Sequence, residues 1–153
     1  PLYSSAASDV YKRQALRAGT TRPWGVVVIC GTGFNAAARA PDGREIVLPG
    51  LGPISGDWGG GGDLSLEMIR NVMRAWDGRG KPTLLTPLVL QALGVPSEEA
   101  LVRHLYHGEI ERRRIHDLVP LLFEAAEAGD SVSRDLVVRM GDHHAGSSRI
   151  VVR

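Results

Sequence analysis

One cysteine, Cys30, stands in 153 residues. The chain therefore cannot close an internal disulfide, or build a four-thiolate zinc or iron–sulfur site, from its own side chains. A reducing cytoplasm suits that cysteine usage best. Net charge is nearly absent too: 18 Lys+Arg against 17 Asp+Glu leave a formal +1. A reader of duplex nucleic acid needs a concentrated basic face to displace counterions, so no nucleic-acid partner is expected. Long apolar runs are missing. The longest, residues 26–30, falls far below the roughly 18 residues of a spanning helix. The N-terminus also lacks the apolar centre of a signal peptide, so neither a membrane partner nor export is expected. With 43% hydrophobic and 23% charged residues the composition is that of a folding chain, of a length that can bury a core.

Residues 1–14, PLYSSAASDVYKRQ, are small and polar and show no helical or alternating apolar period. The string Asp9-Val10-Tyr11-Lys12-Arg13-Gln14 resembles the translation of a transposon end used to prepare DNA sequencing libraries. The segment is therefore read as non-native or disordered and left out of the fold argument. Without Asp9, Lys12 and Arg13 the remainder carries 16 basic and 16 acidic residues. The slight basicity then says nothing about partners.

What the chain has in plenty is glycine, 19 residues. GVVVIC at residues 25–30 is a β-branched run that predicts a buried strand ending in the tight turn Gly31-Thr32-Gly33. A second strand follows over residues 34–40. Pro41-Asp42-Gly43-Arg44 predicts a hairpin turn before Glu45-Ile46-Val47-Leu48. Residues 49–62 hold seven glycines in fourteen positions. Such density costs backbone entropy and is useful where chain must pass close to a ligand. A flexible linker is the plain alternative, but Ile54, Asp57 and Trp58 are residues that a spacer does not need.

The period then changes from two to 3.6. Asp63 is placed to cap a helix with Leu64, Met68, Ile69, Val72, Met73 and Trp76 on one face. Thr86 as N-cap, Pro87 at the first position and Gly94 past the end mark a short helix. Ser97-Glu98-Glu99 opens another. A longer helix is expected over residues 115–128, with Ile115, Leu118, Val119, Leu122 and Ala126 inward and Pro120 near its first turn. A last helix is expected over residues 131–140. The fold class is α/β, a three-strand β-meander followed by a helical half. Three strands with open edges read as part of a larger sheet.

A strand ending in Gly-Thr-Gly offers backbone N–H groups and a hydroxyl where side-chain bulk is absent, which can cradle phosphate oxygens. The tripeptide alone is a weak signal, since ordinary hairpins contain it. No GxxxxGK followed by Ser or Thr occurs, and no GxGxxG entering a helix. His104 with His107, and His143 with His144, are each half of a metal site at best and are read as solvated or partly buried. Arg112-Arg113-Arg114 reads as a solvated run, and Cys30 as a small buried hydrophobe.

The ordered run GVVVICGTGFNAAARAPDGREIVLPGLGPISGDWGGGG resembles the phosphate-2 region and sugar-binding loop of the actin-like sugar kinase and ATPase superfamily. It is most similar to the N-acetylglucosamine kinase branch of the BadF/BadG/BcrA/BcrD ATPase family. The family pattern there is an apolar strand, GTGSN, a DGR hairpin, GGWGP, and GDEGSG before a helix. The upstream ALRAGTTRPW and downstream DGRGKPT also look familial. The resemblance implies a partial ribonuclease H-like domain over residues 15–144, with an uncertain tail at 145–153. It implies ATP and Mg2+ as cofactors of an intact parent, a small-molecule sugar as substrate, and a homodimer as one arrangement. Gly31, Thr32 and Gly33 would contact the nucleotide phosphates. Asn35, Gly50, Leu51, Gly52 and Asp57 would bind the sugar, Asp57 by accepting charge-assisted bonds from hydroxyls. Phe34 stands where the family has serine, Leu51 where it has tryptophan, and Trp58-Gly59-Gly60 where it has Glu-Gly-Ser.

Kinases of this fold also need an Asp-Gly-Gly phosphate-1 hairpin and a catalytic aspartate just upstream of the position of Ala15. Neither is found, and Asp9 is given no role. The expectation is thus a fragment of an ATP-dependent sugar kinase without its catalytic base. Two other readings within reach of the resemblance are an ATPase activator of a 2-hydroxyacyl-CoA dehydratase or benzoyl-CoA reductase system, and a non-catalytic sugar-binding regulatory module.

Overall fold

The structure, a computed structural model, describes residues 5–19 and 21–150. These divide into two compact units, one within residues 1–60 and 142–153 and the other over residues 61–141. The first holds α1 (Ser5–Gly19), β1 (Gly25–Cys30), β2 (Phe34–Arg39), β3 (Glu45–Val47) and a single 3-10 turn over Gly52–Ser55. The second holds α2 (Gly61–Trp76), α3 (Leu85–Leu93), α4 (Glu98–Tyr106), α5 (Arg112–His116) and α6 (Val119–Glu127). The last helix, α7 (Ser131–Ile150), contributes residues to both. No helix among the described residues is long and apolar enough to cross a membrane.

The sheet is the expected meander, antiparallel throughout in the order β1-β2-β3. Its register sets Cys30 opposite Phe34 and Gly25 opposite Arg39. β2 bonds to a strand on each side, and Phe34, Ala36, Ala37 and Ala38 are buried. β1 lies at an edge and does not match the buried strand that its sequence suggests. Its residues alternate, with Val26, Val28 and Cys30 on the exposed side. An uninterrupted β-branched run is thus not a sign of two-sided burial, because β1 has one strand partner and α1 packs against β1 and β2. Cys30 is correspondingly exposed rather than a buried hydrophobe.

The helix α1 runs through part of the segment read as non-native or disordered; residues 1–4 lie outside the described residues. Ser5 through Gln14 are helical, and Lys12 is buried with its ammonium donating to the Leu48 carbonyl at 3.0 Å. The segment has little apolar periodicity because its hold on the sheet unit includes this polar contact.

The helical unit has an ordinary apolar core. Leu64, Met68, Ile69 and Val72 of α2 are buried, as are Leu85, Val89 and Leu93 of α3, Leu101 of α4, Leu122 and Ala125 of α6, and Leu136 of α7. Trp76, expected inward, is 44% exposed. This is the usual compromise of an aromatic with a polar tip. The expected 115–128 helix is two helices. Pro120 has no N–H to give to the His116 carbonyl and its ring would crowd that carbonyl, so the chain turns at Asp117-Leu118 and restarts at Val119. Arg114, read as part of a solvated run, instead donates to the Leu93 carbonyl at 2.7 Å, beside the left-handed Gly94 that closes α3.

Thr86 is not the cap of α3, which starts at Leu85 without a capping side chain from Leu84. The cap comes from far along the chain. Asp130, just before α7, accepts from Leu84 N at 3.1 Å, Thr83 Oγ1 at 2.8 Å, Ser133 N at 2.8 Å and Ser133 Oγ at 2.7 Å. One buried carboxylate therefore satisfies the starts of two helices. Burial pushes its pKa up, but the bonds from Ser133, Leu84 and Thr83 outweigh that and hold it below the ordinary carboxylate value. A lowered native pKa adds stability that is complete above the ordinary value and is lost as pH falls through the native one. Asp130→Ala should lower the unfolding free energy by roughly 2–4 kcal/mol in urea titrations at pH 7. That difference should shrink as the pH is taken below about 4; equal midpoints at pH 7 would contradict the double-cap role.

Candidate functional site

All eight residues singled out as site candidates lie in the sheet unit. The hairpin between β1 and β2 is closed by Gly31 N–H donating to the Gly33 carbonyl at 3.0 Å. Gly31, Thr32 and Gly33 are exposed, and no heavy atom lies within 4 Å of where a Cβ of Gly31 or Gly33 would stand. Neither glycine has positive φ. Their lack of side chains therefore relieves no backbone strain; it leaves open space over the turn. Open backbone with a neighbouring hydroxyl is what phosphate oxygens require.

The glycine-rich loop comes up against this turn from behind. A Cβ on Gly60 would sit 2.4 Å from Gly33 C, 2.5 Å from Gly33 Cα and 2.8 Å from the Thr32 carbonyl oxygen. These are backbone atoms, which cannot swing aside, so only glycine fits at 60. The Cys30 thiol adds a contact to the Gly59 carbonyl at 3.5 Å. A second close approach joins two more candidates. Gly50, at φ +72°, has its Cβ position 2.3 Å from Asn35 Nδ2, while Asn35 Oδ1 accepts the Ala36 N–H at 2.9 Å.

Asp57 is buried, at 3% exposure. Its Oδ2 takes a short hydrogen bond from Ser55 Oγ, and its N–H donates to the Gly52 carbonyl at 3.1 Å. The same Ser55 hydroxyl accepts the Leu51 N–H at 3.0 Å. Gly52, Leu51 and Asp57 are thus tied together through one serine. A carboxylate has about four acceptor positions, so the Ser55 bond uses only a part of them. Leu51 itself is 64% exposed.

Sequence reasoning missed what lies beside this loop. His143 Nε2 accepts the Trp58 N–H at 3.2 Å. The His143 ring meets Trp58 and Phe34 edge-on, with centroids 5.8 and 5.6 Å away. His144 stacks on Phe34 at 4.4 Å. Burial keeps the His144 pKa below the ordinary imidazole value, opposed by its hydrogen bond to the Gly59 backbone carbonyl and aided by the neighbouring His143. No local signal announces these contacts, since 85 positions separate Trp58 from His143. Lys12 was missed because its segment had been set aside. Of the other histidine pair, His104 is engaged with Glu109 through Nδ1 at 2.5 Å, and His107 caps the end of α4.

The profile of the BadF/BadG/BcrA/BcrD ATPase family matches residues 10–145. An N-acetyl-D-glucosamine kinase of Dictyostelium discoideum is 35% identical over 126 residues, covering 81% of this chain and 40% of that protein. An N-acetylmuramic acid/N-acetylglucosamine kinase of Clostridium acetobutylicum is 32% identical over 123 residues, again 40% of its length. Among solved structures, a candidate N-acetylglucosamine kinase of Chromobacterium violaceum superposes with a TM-score of 0.73 at 27% identity, over 91% of this chain and 46% of that one. The chain thus spans about 40% of the length of the curated relatives it matches. Its α/β architecture is part of the actin-like ATPase fold, and the chain belongs to the BadF/BadG/BcrA/BcrD ATPase family.

Proposed function

We propose that this chain is the part of an ATP-dependent sugar kinase that carries a nucleotide-phosphate turn and a sugar loop. The substrate would be N-acetylglucosamine or a closely related amino sugar, as the names of its relatives suggest. The observation that carries this reading is the seating of Gly60 on Thr32 and Gly33, which fixes the loop bearing Asp57 to the turn that would meet phosphate. The open space over Gly31 and Gly33 suits an ATP phosphate, with backbone N–H groups and the Thr32 hydroxyl as donors. When bound, ATP with Mg2+ supplies the transferable phosphoryl group; no side chain of this chain is assigned to the metal. Asn35 and Asp57 would hold the sugar, Asp57 by accepting from hydroxyls. In an intact kinase of this kind, a carboxylate must take the proton of the attacking hydroxyl. The sequence contains no Asp-Gly-Gly hairpin, and the Asp57 carboxylate is bonded within the loop, so no residue of this chain is assigned that role. A cytoplasmic site of action accords with the single thiol. The activator reading comes from the family resemblance, and Cys30 alone does not fit the cluster cysteines it would need.

Three outcomes test this reading. A coupled ADP-release assay of the chain with ATP, Mg2+ and N-acetylglucosamine should show no turnover; sustained turnover would mean that a catalytic base is present after all. Asp57→Asn should weaken N-acetylglucosamine binding by roughly 10- to 100-fold in calorimetry, the worth of a hydrogen bond to a charged acceptor. Unchanged affinity would remove Asp57 from the site. Gly60→Ala must push the loop off the turn, and ATP affinity should fall by roughly tenfold or more, whereas unaltered ATP binding would dissociate the turn from the nucleotide.

A further inference from the structure

Two histidines near the end of α7 have no part in the site as drawn so far, yet one of them is bonded to its backbone. We propose that His143 is a positioning residue for the glycine-rich loop: its imidazole clamps Trp58 to Phe34, and so holds Asp57 and Gly60 in register with the Gly31-Thr32-Gly33 turn. This rests on reading that loop as the sugar loop.

The argument begins with a bond whose direction is fixed. The Trp58 N–H is a donor only, so His143 Nε2 at 3.2 Å must be the acceptor and must carry no proton. The ring proton therefore belongs on Nδ1, which defines the tautomer. Trp58 lies between Asp57, the candidate acceptor for sugar hydroxyls, and Gly59, whose carbonyl meets the Cys30 thiol. Fixing its N–H fixes the Asp57–Trp58 peptide plane, which begins at the Cα that carries the Asp57 carboxylate.

The same ring reaches the turn from the other side. Phe34 follows Gly33 directly and pairs with Cys30 in the β1–β2 register. His143 meets Phe34 edge-on at 75°, and Trp58 edge-on at 79°. His144 covers Phe34 face to face, 12° from parallel. Phe34 is 4% exposed, so this is a packed cluster, in which edge-to-face ring contacts are favourable beyond their buried area. The two positions that it joins are two at which the sequence departs from the family pattern it resembles, Phe34 and Trp58. The clamp gives both departures one physical purpose.

Glutamine reproduces this acceptor and leucine does not, because the amide oxygen of glutamine reaches about as far as Nε2. In the whole chain, long-range 15N spectra should show His143 with unprotonated Nε2 and protonated Nδ1. Trp58 amide exchange should rise roughly tenfold in His143→Leu and stay near wild type in His143→Gln. N-acetylglucosamine affinity should follow the same order, lost in the leucine variant and largely restored by glutamine. The proposal is overturned if His143 carries its proton on Nε2, if Trp58 exchanges equally in wild type and His143→Leu, or if the wild type binds sugar and the two variants bind it alike. If the wild-type chain binds no sugar but keeps the exchange pattern, the clamp stands and the sugar reading fails. The two failures are thereby told apart.

Discussion

The proposed site hangs on one steric constraint, the passage of the Gly60 backbone within van der Waals reach of the backbone at Thr32 and Gly33. Backbone meeting backbone leaves no room for a side chain and no rotamer that could relieve one. The contact sets where the loop runs, and with it the position of Asp57 three residues earlier. At the other end of the loop Gly50, at φ +72°, lies against the side-chain amide of Asn35, and its left-handed backbone favours glycine there. Steric exclusion accounts for glycine at 60, and positive φ for glycine at 50, 52, 56 and 59.

Each glycine costs roughly 0.5–1 kcal/mol of backbone entropy relative to alanine, and the structure offsets this with anchors that reach the loop from distant parts of the chain. Lys12 donates to Leu48 where the loop begins, Ser55 ties Leu51 to Asp57 in its middle, and His143 takes the Trp58 N–H near its end. All three are polar contacts, suited to a segment that has few side chains to bury. The helical unit is stabilised in the opposite way, by leucine, valine and methionine packing around α2. Its notable polar feature is Asp130, which supplies capping to two helices at once.

Much of this was legible in the residues themselves. The β-meander could be read from β-branched runs cut by GTG and PDGR, and Gly94 and Ser97 marked helix ends where the structure has them. The glycine density suggests room for a ligand, and the close approach in the structure is to the chain's own backbone, Gly60 against Thr32 and Gly33. What could not be read depended on contacts between residues far apart in the chain. Thr86 had the local look of a cap, but Asp130, some 46 positions later, does the capping at Leu84. The apolar run of β1 looked two-sided, yet burial depends on how many strands flank it, and β1 has one. Residues 5–14 showed no helical period, and they form a helix held in part by a buried lysine. In the site, Gly31-Thr32-Gly33 and Asp57 could be proposed from motif order alone, while Lys12 and His143 had no local signature.

The central claim is that turn and loop form one site with two ligands, and amide chemical-shift mapping of the 15N-labelled chain tests it most directly. Titration with N-acetylglucosamine and then with ATP should move two neighbouring sets of resonances. The sugar should shift Asn35, Gly50, Gly52 and Asp57, and the nucleotide should shift Gly31, Thr32 and Gly33, with Gly60 responding to both. Shifts confined to the helical unit, or none in either set at saturating ligand, would contradict the account.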